Sequence, residues 1–255
     1  MSELMLEEGE SVCKIILNRP EKGNSLSPSM LKNLSKTLEE LKSREERKAV
    51  IITGAGEKFF SAGADIEAVL SGDVRGSVVD IHLKSIEDYP YPVIAMVNGY
   101  ALGAGCELVA TCDIRVASER AKFGMPPAKL GVVYSYNGIR KFLNLMGVGR
   151  TKLLFLTGKV FDAKGAYDFG LIDFIVPEDE LEEFTVSLAE EIMEGAPLAL
   201  SGTKEIINLW VKNQVCSGED ERRIRDLIAK AFSSEDLKEG LTAFREKRKP
   251  KFVGR

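Results

Sequence analysis

Short apolar, β-branched runs recur at residues 12–17, 49–53, 93–97, 114–117 and 171–176, with helical patterns or turns between them. That alternation predicts an α/β fold. The first helix has the clearest signature: Ser27 as N-cap, Pro28 at the first helical position, and Leu31, Leu34, Leu38 and Leu41 along one face. The segment Tyr89-Pro-Tyr-Pro92 ends a preceding helix and forces an extended entry into the run at 93–97. Beyond Val176 only helical patterns remain, over 177–194, 197–213, 218–232 and 235–247, punctuated by Gly195, Gly218 and Gly240. There is no repeat of fixed period and no low-complexity linker, so the chain divides into an α/β core over 1–195 and a helical region over 196–255. Such a tail either caps the core or joins copies of the chain.

Composition narrows the partners. The 255 residues, 44% of them hydrophobic, are enough for one large core. No run of about 18 apolar residues suggests a membrane span. Residues 1–10 are acidic and lack the basic-then-apolar order of a secretion signal, so a cytoplasmic location is expected. A net charge of −4 argues against nucleic acid as the main partner, the basic run at 245–251 being the one local exception. Cys13, Cys106, Cys112 and Cys216 are scattered without a Cys-x-x-Cys pair, which points to reduced, packed thiols and not to a disulfide frame or a zinc site. The single histidine, His82, has no second ligand in view and reads as solvated or packing. Any chemistry here proceeds without a histidine-based triad.

The chemistry concentrates in residues 95–115, Ala-Met-Val-Asn-Gly-Tyr-Ala-Leu-Gly-Ala-Gly-Cys-Glu-Leu-Val-Ala-Thr-Cys-Asp-Ile-Arg, a buried strand passing through a glycine turn into a helix. A helix beginning near Gly103 leaves the Ala104 amide as a donor at the positive end of the dipole. Glu107, three residues on, shares its helix face. A second glycine-rich stretch, Gly54 to Ile66, resembles the start of a dinucleotide fingerprint but has Phe59 where the third glycine belongs. Its better reading is a turn at Ala62-Gly63-Ala64-Asp65 that exposes the Ala64 amide ahead of a helix at 66–70. Two such amides from separate turns make an oxyanion hole.

Phe60-Ser-Ala-Gly-Ala-Asp-Ile66, Asn98-Gly-Tyr-Ala-Leu-Gly-Ala-Gly-Cys-Glu107, Asp113-Ile-Arg-Val-Ala117, Phe123-Gly124, Leu130-Gly131 and Glu246-Lys-Arg-Lys-Pro-Lys-Phe252 together resemble the enoyl-CoA hydratase/isomerase, or crotonase, family. The resemblance runs over nearly the whole chain. It implies a spiral of β-β-α repeats, a helical C-terminal trimerisation region, and a homotrimer or dimer of trimers. It also implies an acyl-CoA substrate, with no cofactor beyond that coenzyme A and no metal. Residue by residue, it assigns the oxyanion hole to Ala64 and Ala104 and a catalytic carboxylate to Glu107. Ala62, Asp65 and Ile66 match positions that hold the CoA adenine, and Phe244 and Lys247 match residues that reach a neighbouring subunit's CoA. Preorganised amides of this kind are worth about 3–4 kcal/mol each to an enolate.

One departure matters. Hydratases carry a second glutamate shortly after Phe-Gly, and here Pro127 stands at that position, unable to donate or accept a proton. Tyr134 then becomes a candidate polar group at the acyl end, although a tyrosine in such a place more often packs with its hydroxyl satisfied. Leu-Gly-x-x-Tyr134 with a lysine-rich C-terminus also resembles methylmalonyl-CoA decarboxylases, which however tend to carry histidine where Ala64 stands. Hydration is the leading expectation. Double-bond isomerisation, decarboxylation of a malonyl-type thioester, and a non-catalytic CoA-binding subunit are the competitors. Asp65 reads first as a stabiliser of its helix terminus, Cys106 as helix packing, and Tyr136 as packing.

Overall fold

A computed structural model describes residues 2–73, 76–212 and 218–253. Its strands are β1 (Leu4–Glu8), β2 (Val12–Leu17), β3 (Ala49–Gly54), β4 (Phe59–Ser61), β5 (Val93–Val97), β6 (Tyr100–Leu102), β7 (Ile114–Ser118), β8 (Lys122–Gly124), β9 (Val160–Asp162) and β10 (Phe174–Val176). The helices are α1 (Pro28–Ser43), α2 (Ile66–Ser71), α3 (Gly76–Asp88), α4 (Ala104–Thr111), α5 (Tyr136–Thr157), α6 (Ala163–Phe169), α7 (Leu181–Met193), α8 (Pro197–Lys212), α9 (Gly218–Phe232) and α10 (Glu235–Arg245).

Six strands form one sheet in the order β1-β2-β3-β5-β7-β10, parallel except for β1, and four form a second in the order β4-β6-β8-β9. Each turn of the chain places one strand in the large sheet, the next in the small one, and then a helix: β3-β4-α2, then β5-β6-α4. This is the β-β-α spiral expected for the family the motifs resemble. Parallel strands need crossover connections, and here the second strand and the helix together make the crossover.

The period-two alternation of the strands splits the core. Val50, Ile52, Val93 and Ala95 face α1 and its buried Leu31, Leu34, Leu38 and Leu41. Val12, Ala49, Ile51, Ile94 and Met96 face the other way, onto Leu181 and Ala189 of α7. With both faces covered, β3 is buried along its whole length, as parallel strands usually are.

The helical region differs from a detached tail. Lys204 of α8 donates to the Ile86 and Tyr91 carbonyls at 3.1 and 3.0 Å and to Asp113 at 2.6 Å, fixing α8 to the core. Beyond that tie, α8 exposes Leu198, Ile206, Ile207, Leu209 and Trp210. The last helix, α10, returns to the core and buries Leu237, Leu241 and Ala243; a Cβ on Gly240 would stand 2.6 Å from the Leu130 carbonyl oxygen. Among the described residues no helix is long and apolar enough to cross a membrane.

Candidate active site

The site begins with two glycine turns laid against each other. Gly63 has φ +105° and Gly103 has φ +51° with ψ −123°, conformations that a side chain would strain. A Cβ on Gly63 would lie 2.8 Å from the Leu102 carbonyl oxygen and 3.4 Å from the Ala104 nitrogen, so only glycine lets the turns meet. Leu26 pairs with the first turn, donating to the Gly63 carbonyl at 2.7 Å and accepting from the Asp65 amide at 3.0 Å. By the alternation of an extended chain, the Ala64 N–H between them points away from Leu26. The Ala104 N–H opens α4 and has no partner within its own helix.

Arg19 braces the first turn from beneath. Its guanidinium donates to the Ser25 carbonyl at 3.0 Å and to Asp65 at 2.9 Å, and it also pairs with Glu3 at 3.1 Å. Asp65 caps α2 by accepting from the Glu67 amide, the structural role expected of it. Burial pushes the Asp65 carboxyl up, but Arg19 outweighs this and holds it below the usual range.

Glu107 lies one turn into α4 and is only 1% exposed. Lys141 of α5 donates to it at 2.9 Å and stands 3.9 Å from Asp80 of α3. The Tyr134 hydroxyl is hydrogen-bonded to Glu107 as well, while its ring packs edge-on against Phe155 at 5.6 Å. Burial, then the Glu107 charge, raise the Tyr134 phenol well above its ordinary value, so it stays protonated near neutral pH and acts as a donor. Asp80 is pushed up to about 7 by burial and by the Glu107 charge, against the opposing pull of Ser135 and Lys141. The site thus holds two carboxylates, but the second comes from α3 and not from the segment around Pro127. Pro127 itself is buried at the start of a short 3-10 turn.

Neither Lys141 nor Asp80 stands out in the amino-acid sequence. Each sits in an amphipathic helix where an isolated charge signals nothing, and only packing of α3, α4 and α5 brings them to Glu107. Of the other candidates, Ala62 is exposed, Asp65 and Ile66 open α2, and Phe244 is 57% exposed at the end of α10. Arg245, next to Phe244 at the end of α10, pairs at 2.8 Å with Glu67 of α2 in the same chain.

His82 ties α3 to α1 through Ser35 at 3.0 Å, a packing role. Burial pushes the Cys106 thiol up to about 12, which makes it inert filling beside Glu107. Cys216 lies outside the described residues. Among the described residues, no three His, Cys, Asp or Glu side chains gather as a metal ion would require.

Two amides for which no acceptor is found among the described residues, near a buried, ion-paired carboxylate, make a site that can hold a negative oxygen and move a proton next to it. A family model described as enoyl-CoA hydratase/isomerase matches residues 7–255. The short-chain-enoyl-CoA hydratase of Clostridium acetobutylicum is 35% identical over 255 residues, covering 98% of this chain and 97% of that protein. A methylmalonyl-CoA decarboxylase solved in complex with 2-nitronate-propionyl-CoA superposes with a TM-score of 0.93 at 32% identity, covering 100% of this chain and 99% of that one. An enoyl-CoA hydratase from Bacillus anthracis superposes with a TM-score of 0.79 at 34% identity, covering 100% of both chains. The chain belongs to the enoyl-CoA hydratase/isomerase family of enzymes.

Proposed function

We propose that the protein is an acyl-CoA lyase of the enoyl-CoA hydratase type. The abutting turns at Gly63 and Gly103 carry this reading, because among the described residues they leave the Ala64 and Ala104 amides without an acceptor, Ala104 being one helical turn from Glu107. Both amides donate to the thioester carbonyl oxygen, where charge accumulates as the enolate forms. Glu107 takes a proton from water, the hydroxide adds to the β-carbon, and the same proton is returned to the α-carbon. Tyr134 donates to Glu107 and fixes its rotamer.

The CoA lies along the chain at Ala62, Asp65 and Ile66, whose main-chain groups hold the adenine, and Phe244 and Lys247 reach the CoA of a neighbouring subunit. No cofactor is needed beyond the CoA that the substrate carries, and nucleic acid has no part in the function. The exposed apolar residues of α8 are a surface that other copies of the chain cover in a trimer or a dimer of trimers. A cytoplasmic location accords with a metabolite bound to CoA.

A second reading, decarboxylation of a malonyl-type thioester, is favoured by the closer superposition on the decarboxylase than on the hydratase at similar identity. Loss of carbon dioxide delivers the enolate directly to the two amides, leaving only α-protonation. Crotonyl-CoA incubated with the enzyme in deuterated water decides between them by mass spectrometry and proton NMR. A 3-hydroxybutyryl product deuterated at the α-carbon is expected. Unchanged crotonyl-CoA together with carbon dioxide release from methylmalonyl-CoA would transfer the assignment to the decarboxylase. A stable monomer in sedimentation at micromolar concentration would overturn the trimer.

A further inference from the structure

Lys141 stands over two carboxylates at once, 2.9 Å from Glu107 and 3.9 Å from an Asp80 oxygen that is fully buried. That oxygen, Oδ1, has no hydrogen-bond donor among the described residues. An acceptor buried without a donor is costly, and two adjacent carboxylates that both ionise are costlier still. One proton removes both penalties. Placed on Asp80, it turns the acceptor into a donor on the side chain that shares Lys141 with Glu107.

We propose that Asp80 and Glu107 form a carboxyl–carboxylate pair in which Asp80 keeps the proton and donates it as a hydrogen bond to Glu107, and that this pair, clamped by Lys141, is the acid–base unit of the site. Asp80 is a positioning residue: it sets the charge of the pair, while Glu107 faces the reacting atoms. Asp80 also lines a cleft between α3 and α5 with Lys84, Glu87, Asn137, Arg140 and Lys141. Asp80 and Lys141 line this cleft and Glu107 does not, so in the pair it is Asp80 that exchanges its proton with solvent.

The charges around Asp80 come from several elements. Glu107 on α4 opposes ionisation, and Lys141 on α5 and the Ser135 hydroxyl favour it. Arg140 on α5, Lys84 and Glu87 on α3 and Lys212 of α8 surround the cleft, and α1 meets α3 on its His82 side. Ionisation of Asp80 places a second negative charge beside the forming enolate and withdraws a donor from Glu107. Turnover falls as it occurs.

The inference rests on Glu107 as the proton-transfer group, and its test has one arm that needs no substrate. Infrared titration of the unliganded protein is expected to show the carbonyl stretch of a buried, protonated carboxylic acid that disappears near pH 7, and to lack it in Asp80→Asn. The kinetic arm follows kcat against pH on whichever thioester is turned over. Wild-type kcat is expected to decline through neutral pH. Asp80→Asn keeps a donor but cannot ionise, so its profile is flat there. Asp80→Leu loses the donor and falls about 10- to 100-fold at every pH, with KM little changed, and Asp80→Glu restores the decline. An infrared band absent from the wild type or retained in Asp80→Asn would overturn the pair, as would an Asp80→Asn profile that follows the wild type. If the band behaves as expected and no thioester reacts, the pair stands and the lyase reading falls.

Discussion

Lys141 donates to Glu107 at 2.9 Å where both are almost wholly removed from water, with side-chain exposures of 9% and 1%. A buried ion pair adds little to stability over an apolar pair of the same shape, but removing one partner strands the other charge. Lys141→Met is therefore expected to lower unfolding free energy by about 3–5 kcal/mol. Urea unfolding of the two single variants and of Lys141→Met/Glu107→Gln checks this. The double variant should recover much of the loss, and strict additivity of the singles would contradict the coupling.

Glu107→Gln keeps the shape of the side chain and removes its ability to carry a proton. Turnover is expected to drop by about 10²–10⁴-fold. Thioester affinity should change little, because the amides of Ala64 and Ala104 and the segment at 62–66 are untouched. Calorimetry with a saturated acyl-CoA measures the second point, and wild-type turnover in this variant would remove Glu107 from the mechanism.

Glu107 was legible in the sequence because its partner on the same helix, Ala104, is three residues away and helix geometry alone relates them. The amide turns were legible for a similar reason, since Gly63 and Gly103 mark backbone that only glycine tolerates. The five parallel strands of the large sheet were also readable, the runs at 12–17 and 93–97 coinciding with β2 and β5, whereas its edge strand β1 lies in the acidic stretch 1–10 and was not. The small sheet was not. Its strands β4, β6, β8 and β9 have three residues each, too few for any period to register. Lys141 lies 34 residues from Glu107 and Asp80 on yet another helix, so no local pattern joins them.

The oxyanion hole can be tested by removing a donor without moving the chain. Proline is well tolerated at the first position of a helix, which Ala104 occupies. Ala104→Pro is expected to lower kcat by about 10²–10³-fold with native circular dichroism and an unfolding midpoint close to the wild type. Unimpaired kcat in the folded variant would show that this amide holds nothing.

Tyr134 separates packing from chemistry in one atom. Its ring packs against Phe155 and its hydroxyl meets Glu107, so Tyr134→Phe keeps the first and deletes the second. Stability is expected to change by only about 1–3 kcal/mol, that of one hydrogen bond to a charged group, while kcat falls about tenfold. A variant that loses stability but keeps kcat would assign Tyr134 to packing alone.

Stability itself should depend on pH through Asp80. Its carboxyl, ordinarily near 3.8, is raised to about 7 in the folded protein. Below about pH 4 both folded and unfolded chains carry the proton and the group contributes its full share. As pH rises toward 7 the unfolded chain releases the proton and the folded chain retains it, so stability declines across that window and levels off above it. Asp65 works in the opposite sense at lower pH, because Arg19 holds its carboxyl down and stability is lost as pH falls through its folded value. Comparing each protein with Asp80→Asn isolates the first effect. The stability difference between variant and wild type, measured by urea unfolding, is expected to shift toward the variant from pH 5 to pH 8, and a constant difference would mean that Asp80 is already ionised at pH 5.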